Sequence, residues 1–237
     1  MRIVSLVPSL TEAVVHTAPE MLVGATDWCS HPPGLDVPRV GGSKYPRIDE
    51  VLSLEPDLVL VNEEENRRAD ADALRAAGVR LHVTFPRTVD GALAELTTLV
   101  EVLGRPEPAW LRTAKAAWAA VRRPDRLRTA AIPVWRRPWI VVGGDTFAGD
   151  VLRRLGVVNA FEAGGDRYPR PSLDEIRARD LDLVVLPDEP YLFTRDDGPE
   201  AFPGVPAALV SGRHLTWYGP SLAEAPALLS AQLAAAS

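Results

Sequence analysis

The chain has 237 residues, of which 46% are hydrophobic and 24% are charged, proportions typical of a soluble globular protein. Its formal net charge of −6 argues against nucleic acid as a partner, because nucleic-acid binding needs a basic face. The sequence contains no run of about 18 apolar residues, the length that a membrane-spanning helix needs. Its single cysteine excludes an internal disulfide.

The first half alternates between apolar runs that predict strands and stretches that predict helices. Ser9 and Glu12 have the spacing of a capping box at the start of the first helix. Strands are expected at 2–7, 22–25, 58–61 and 80–85, with helices at 8–18, 48–54 and 67–77 between them. This alternation is typical of a parallel sheet with right-handed crossovers.

The middle of the chain predicts two helices. The first runs from Leu93 to Leu103 and ends at Gly104. The second places apolar residues from Trp110 to Val121 on one face, and about 15 residues of helix span roughly 22 Å. That length favours a stiff connector, so we expect an N-terminal lobe at 1–104, a connecting backbone helix at 105–128 and a C-terminal lobe at 129–237.

The alternation restarts in the second half, and residues 174–186 nearly copy residues 49–61. Each copy begins with two acidic residues and ends in a fully apolar strand. Buried parallel strands are apolar throughout, because crossover helices cover both faces of the sheet. Further strands are expected at 129–134, 140–142 and 206–210, with a helix ending near 155 and another starting near 221. The repeat predicts two similar α/β lobes with a cleft between them.

Polar and aromatic residues follow many of the predicted strands. Ligands of open parallel sheets bind beyond the carboxyl ends of the strands. Aromatic side chains at those positions suit a large, flat, partly apolar ligand. The predicted ligand-binding residues are Ser9, Trp28, Tyr45, Glu64, Asn66, Trp135, Trp139, Asp145, Tyr191, Trp217 and Tyr218.

Catalytic and metal-binding motifs are missing from the sequence. The four histidines and Cys29 do not have the spacing of a closed zinc site, and no Ser-His-Asp order with a nucleophile elbow occurs. We therefore predict neither a catalytic residue nor a protein-only metal site. The acidic run Glu63–Glu65 is typical of a solvated helix start, with a docking or ligand-gating edge as the alternative.

Several motifs resemble the class III periplasmic binding proteins, the superfamily that holds the cobalamin-, siderophore- and haem-binding components of ABC importers. In the first half these motifs are RIVSLVPSLTE at 2–12, VGATD at 23–27, RVGG at 39–42 and LEPDLV at 54–59. In the second half they are IPVWRRPW at 132–139, GDTF at 144–147, LPDEPY at 186–191 and LTWYG at 215–219. The second group is similar to a subgroup described as cobalamin-binding proteins or helical backbone metal receptors.

The resemblance implies two Rossmann-like α/β lobes joined by a single long backbone helix. It implies a monomeric, non-enzymatic solute-binding protein that holds a corrinoid or related metal chelate in an aromatic-lined cleft, without a covalently bound cofactor. Aromatic contacts would come from Tyr45, Trp139 and the pair Trp217 and Tyr218. A surface glutamate on each lobe would dock on an ABC permease, and the candidates are Glu64, Glu65 and Glu189.

The start of the chain departs from this pattern, because the first strand leaves no room for a signal peptide. The sequence as written therefore predicts a cytoplasmic protein, or a periplasmic or cell-surface one if the start site is misassigned. Two alternatives stay open. One is a cytoplasmic enzyme that acts on a small metabolite in the same cleft through Asp145, Glu64, Tyr45 and Cys29. The other is a sensor or regulatory module that uses the same cleft on a small metabolite or docks a partner through Glu63–Glu65.

Overall fold

The computed structural model describes residues 1–122 and 124–236. Arg123, in the predicted connector, and Ser237, at the end of the predicted C-terminal lobe, lie outside the described residues. The chain divides into two compact units. Unit 1 comprises residues 1–86, 92–113 and 218–220, and unit 2 comprises residues 87–91, 114–217 and those from 221 onward.

Unit 1 contains a parallel four-stranded sheet. Its strands are β1 Ile3–Ser5, β2 Leu22–Ala25, β3 Leu58–Asn62 and β4 Arg80–Thr84, in the order β2-β1-β3-β4. Its helices are α1 Pro8–Val15, α2 Ile48–Ser53 and α3 Arg68–Ala76. Every residue of β3 is buried, and Val59 and Val61 pack in one cluster with Val51 of α2 and Leu74 of α3. The predicted parallel α/β arrangement is confirmed for this unit.

Two helices follow along the chain, and each has residues in both units. These are α4 Val89–Val102 and α5 Ala109–Ala120. Helix α5 corresponds to the helix predicted from Trp110 to Val121. The division at 104 and 128, and the role of this segment as the connector, stay predictions.

Unit 2 contains a second parallel sheet and a separate hairpin. The sheet strands are β5 Arg128–Ala131, β8 Val157–Asn159, β9 Leu183–Pro187 and β10 Ala207–Val210, in the order β10-β9-β5-β8. The antiparallel hairpin is formed by β6 Pro133–Trp135 and β7 Ile140–Val141. The helices are α6 Phe147–Arg154, α7 Leu173–Arg177, α8 Gly212–Thr216 and α9 Ala225–Ala234.

The sequence repeat is confirmed as a structural one. The first copy forms α2 and β3, and the second forms α7 and β9. Both strands lie inside their sheets and are buried throughout. In the second copy Ser172 Oγ accepts from Glu175 N at 3.2 Å and Glu175 Oε2 accepts from Ser172 N at 2.7 Å. This capping box fixes where α7 begins.

Two expectations for local structure are wrong, and two elements were not predicted. Ser9 and Glu12 do not form a capping box, because Pro8 takes the first helical position and Val7 becomes the N-cap. The strand expected at 129–134 is two strands, β5 and β6, and β6 turns back to pair antiparallel with β7. Strand β8 and helix α8 had no sequence pattern long enough to predict them.

None of the helices in the described part of the chain combines the length and the hydrophobicity needed to cross a bilayer.

Candidate functional site

The turn after β3 in unit 1 is held by two asparagines. Asn62 Oδ1 accepts from the backbone N–H groups of Glu64 at 2.7 Å and Glu65 at 3.1 Å. Asn66 Oδ1 accepts from Asn62 N at 2.8 Å. Asn66 is buried, and its amide also donates to the carbonyl oxygens of Leu6 and Ser43. The structure therefore gives Asn66 a bracing role.

The acidic run on this turn is unevenly exposed. Glu63 is exposed, whereas Glu64 and Glu65 are half-buried. The Lys44 ammonium donates to the backbone carbonyl of Glu64, which ties the turn to the neighbouring loop. Of the three carboxylates, that of Glu63 therefore faces solvent most fully, although the sequence had favoured Glu64 and Glu65 for docking.

Two large aromatic side chains of unit 1 are strongly exposed, Trp28 at 69% and Tyr45 at 72%. Both residues lie next to Gly42, Tyr45 through its backbone and Trp28 through its side chain. Tyr45 N donates to Gly42 O at 3.2 Å, and a Cβ at Gly42 would lie 3.2 Å from the Trp28 indole nitrogen. We call Trp28 and Tyr45 the unit 1 aromatic face.

Arg67 orients the Tyr45 ring of this face. Its guanidinium carbon lies 4.6 Å from the centre of the Tyr45 ring, the geometry of a cation–π contact. The guanidinium is held in place by two hydrogen bonds to Asp70, of 2.8 and 2.7 Å, and Asp70 is buried. Sequence reasoning did not select Arg67, although the basic pair after the acidic run was visible.

A cavity of ≈ 410 Å³ lies beside Arg67 in unit 1. Its walls come from β3, β4 and one side of α3, and its lining includes Val61, Val83, Arg68 and Arg75. Asp72 pairs with both Arg68 and Arg75, so these cations have acidic partners on their own helix.

Two other predicted residues of unit 1 are interior. Tyr218 is 4% exposed, and its hydroxyl lies 2.7 Å from Asn62 Nδ2 and 2.9 Å from Thr84 Oγ1. Burial, followed by the nearby charge of Glu65, raises the pKa of Tyr218 well above its ordinary value. Ser9 is also buried, and its Oγ has no hydrogen-bond partner among the described residues.

Unit 2 has an aromatic cluster of its own, formed by Trp135, Trp139, Tyr191, Phe193 and Phe202. Trp135 is 41% exposed and contacts Tyr191 edge-on, with the ring centres 5.8 Å apart. Trp139 is half-buried, stacks on Phe193 at 6.2 Å and meets Phe202 edge-on at 5.5 Å. Trp135 and Tyr191 therefore form the outer edge of the cluster, and Trp139 lies beneath.

Asp145 lies immediately before the N-cap of α6, with a positive φ of 52°. Its Oδ2 accepts from Arg87 at 3.0 Å and from Arg167 at 3.2 Å. A small cavity of ≈ 100 Å³ beside it is lined by both acids and bases, including Arg153 and Glu162. Its carboxylate thus bridges two arginines within unit 2.

Glu189 and Trp217 are neighbours in unit 2. Burial, and then the nearby charge of Asp188, raises the pKa of Glu189, while a hydrogen bond from Trp217 and the charge of Arg213 oppose that rise. A Cβ at Gly212 would collide with Glu189, so only glycine allows this packing. Glu189 is half-buried, whereas its neighbour Asp188 is exposed.

Cys29 does not have the properties of a nucleophile. It is fully buried, and its Sγ lies 3.0 Å from Thr11 Oγ1 and 3.2 Å from Thr26 Oγ1. Burial raises the pKa of the thiol, against the effect of these hydrogen bonds. No group of three or more His, Cys, Asp or Glu side chains within residues 1–122 and 124–236 could hold a metal ion.

Comparisons with known proteins give one consistent result. A family model described as periplasmic binding protein matches residues 3–203. The vitamin B12-binding protein of Vibrio cholerae is 24% identical over 194 residues, which cover 77% of this chain and 69% of that protein.

Two solved structures are similar over nearly their whole length. A periplasmic heme-binding protein from Pseudomonas aeruginosa superposes with a TM-score of 0.77 at 25% identity, covering 100% of this chain and 94% of that one. The periplasmic vitamin B12-binding protein of Vibrio cholerae gives 0.76 at 17% identity, covering 98% and 96%. These periplasmic descriptions do not support the cytoplasmic expectation.

The matches confirm the predicted superfamily, the α/β fold and a binding protein in place of an enzyme. The chain belongs to the periplasmic binding protein family, and it is a non-enzymatic solute-binding protein of the ABC-importer type.

Proposed function

We propose that this protein binds a corrinoid, or a related metal chelate with a flat macrocycle, outside the cytoplasm and delivers it to an ABC permease. The relatives named above are described as binding vitamin B12 or heme. Both ligands present a broad, partly apolar ring whose faces suit aromatic side chains.

The unit 1 aromatic face carries this proposal. Large aromatic side chains normally bury most of their surface, yet Trp28 and Tyr45 leave more than two thirds of theirs exposed. They do so on one loop around Gly42, and Arg67 fixes the orientation of Tyr45. Two exposed aromatic rings on one loop, one of them oriented by a cation–π contact, offer a recognition surface for a flat ligand.

The burial and contacts of each side chain reduce the set of residues that we propose to contact the ligand. We assign ligand contact to Trp28 and Tyr45 of unit 1 and to Trp135 and Tyr191 of unit 2. Four of the predicted residues are left out of this set. Ser9 and Tyr218 are buried, Asn66 is buried and hydrogen-bonds to the backbone, and Trp139 is packed against Phe193. The contacts predicted for Glu64, Asp145 and Trp217 stay predictions.

A fluorescence titration tests the proposal. The purified chain is titrated with cyanocobalamin, cobinamide, haemin and a ferric siderophore, and tryptophan emission is followed after correction for ligand absorbance. We expect saturable quenching by at least one macrocycle, with a Kd in the micromolar range or tighter. A lack of saturable quenching by cyanocobalamin, cobinamide and haemin would exclude this function, whether or not the ferric siderophore binds.

Delivery to a permease would use acidic side chains on each unit. We propose Glu63, Glu64 and Glu65 for unit 1, where Glu63 is exposed, and Glu189 with its exposed neighbour Asp188 for unit 2. Glu63→Lys together with Glu65→Lys should lower uptake of the labelled ligand by cells while its affinity for the purified protein stays unchanged. Unchanged uptake in cells that depend on this protein would contradict the docking role of unit 1.

A further inference from the structure

Unit 2 holds an almost buried arginine that no ligand contact requires. Only 14% of the Arg136 side chain is exposed. Its guanidinium pairs with Asp197, and Nη2 lies 2.5 Å from Glu200 Oε1. The guanidinium carbon also lies 5.3 Å from the centre of the Trp139 ring. One side chain of the β6–β7 hairpin therefore ties down the segment that follows β9.

Asp197 links Arg136 to Tyr191. Its Oδ1 is bound by Arg136, and its Oδ2 accepts a hydrogen bond of 2.6 Å from the Tyr191 hydroxyl. The same hydrogen bond lowers the pKa of Asp197, followed by the charge of Arg136. The two carboxylate oxygens are thus divided between the arginine and the tyrosine.

A glycine makes this geometry accessible. Gly198 follows Asp197 and has a φ of 132°, where other residues are strained. A Cβ there would lie 2.8 Å from the Phe193 ring and 3.0 Å from Leu186. The chain therefore turns tightly against the core of unit 2 directly after Asp197.

The restrained Tyr191 side chain is half-buried, so part of it is open to solvent. Tyr191 lies edge-on to Trp135 and 4.7 Å, centre to centre, from Phe193. Its neighbour Leu192 is 65% exposed. Apolar packing alone allows a tyrosine ring to rotate or slide, whereas a hydrogen bond to a fixed carboxylate sets its position.

We propose that Arg136 is a positioning residue that acts through Asp197 to hold Tyr191, and with it Trp135, in the arrangement that contacts the ligand. This inference rests on the proposed function and adds the element that sets the geometry of the unit 2 contacts. Arginine is required because its planar fork binds two carboxylates while its face stacks on an aromatic ring, which lysine cannot do.

The test is a double-mutant cycle on ligand affinity with the intact chain, using whichever of cyanocobalamin and haemin the wild-type protein binds. Tyr191→Phe keeps the ring and removes the hydroxyl, and Arg136→Lys keeps the charge and removes the fork. We expect each to weaken binding by about five- to tenfold, the size of effect that the net loss of one typical hydrogen bond produces. Arg195→Lys, an exposed arginine of the same segment, should leave affinity unchanged.

The double variant separates positioning from general damage. If Arg136 acts through Tyr191, the double variant binds no more weakly than either single variant, because the second change removes nothing further. Multiplicative effects, or wild-type affinity in both single variants, would overturn the inference. Far-UV circular dichroism and the urea unfolding midpoint of each variant, compared with wild type, check that the chain stays folded.

Two further outcomes distinguish this inference from the proposed function. If Trp135→Ala binds normally while Tyr45→Ala does not, the unit 2 edge is not a contact and only the inference fails. If the wild-type protein binds neither ligand, the proposed function fails and the inference falls with it.

Discussion

The guanidinium carbon of Arg67 lies 4.6 Å from the centre of the Tyr45 ring, so a strongly exposed aromatic side chain has a defined orientation. The arginine is itself fixed by two hydrogen bonds to the buried Asp70. A tyrosine that is 72% exposed and held in this way is prepared for a ligand, because less ring motion is lost on binding.

Replacing Arg67 tests whether it orients the Tyr45 ring for the ligand. Arg67→Gln should weaken macrocycle binding by about two- to fivefold, in line with the loss of an exposed cation–π contact. Arg75→Gln removes a cation of the same helix that pairs with Asp72 instead, and it should leave affinity unchanged. Equal losses in both variants, measured by fluorescence titration, would point to general electrostatics and contradict an orienting role.

Removing the rings of the unit 1 aromatic face should have a larger effect. Trp28→Ala and Tyr45→Ala should each weaken binding by at least about tenfold, since stacking on an aromatic side chain is lost. Tyr168→Ala is the matched control, because Tyr168 is also exposed, at 40%, and lies outside the proposed contact set. Wild-type affinity in both variants would remove this face from the binding site.

Tyr218 should contribute to stability and not to binding. Tyr218→Phe deletes the hydroxyl that lies within hydrogen-bond distance of Asn62 and Thr84, and leaves those buried groups with one partner fewer. We expect the free energy of unfolding in urea to fall by about 1–3 kcal/mol. Ligand affinity should stay at the wild-type value, and a selective loss of affinity at unchanged stability would restore the sequence-based prediction.

Glu189 should make stability depend on pH. Burial raises its pKa above the ordinary 4.5, so the folded protein holds this proton more tightly than the unfolded chain does. The stability due to this group is present below pH 4.5 and is lost as pH rises through the raised pKa. Glu189→Gln should remove that loss, so its advantage over wild type should grow between pH 4.5 and 7.5. An advantage that shrinks over this range would contradict the burial effect.

Cys29 should be unreactive in the folded protein. Its thiol is fully buried between Thr11 and Thr26, and burial raises its pKa. A chromogenic disulfide reagent should therefore modify it slowly at neutral pH and completely once the chain is unfolded in urea. Rapid modification of the folded protein would revive Cys29 as a reactive group.

The parts of the fold that the sequence predicted are those with local patterns. The copies at 49–61 and 174–186 were recognisable because a buried parallel strand is apolar at every position. The capping box at Ser9 failed because the helix starts at Pro8, with Val7 as the N-cap, two residues earlier than that box requires. Strand β7 was predicted at 140–142, but its pairing with β6 was missed, because the three-residue β6 was read as part of the strand at 129–134.

The site was harder to predict because exposure depends on tertiary packing. Trp217 and Tyr218 are adjacent in sequence, yet Trp217 is half-buried beside Glu189 and Tyr218 is interior beside Asn62. The roles of Arg67 and Arg136 depend on rings and carboxylates that only the folded chain brings to them. No local pattern marks such an arginine.

Calorimetric titration of the purified intact chain with cyanocobalamin and, separately, with haemin tests the central claim most directly. The proposed function predicts saturable one-to-one binding of at least one of them, with a Kd in the micromolar range or tighter that Tyr45→Ala weakens. The absence of saturable heat for both ligands, from protein whose circular dichroism shows a folded α/β chain, would contradict it.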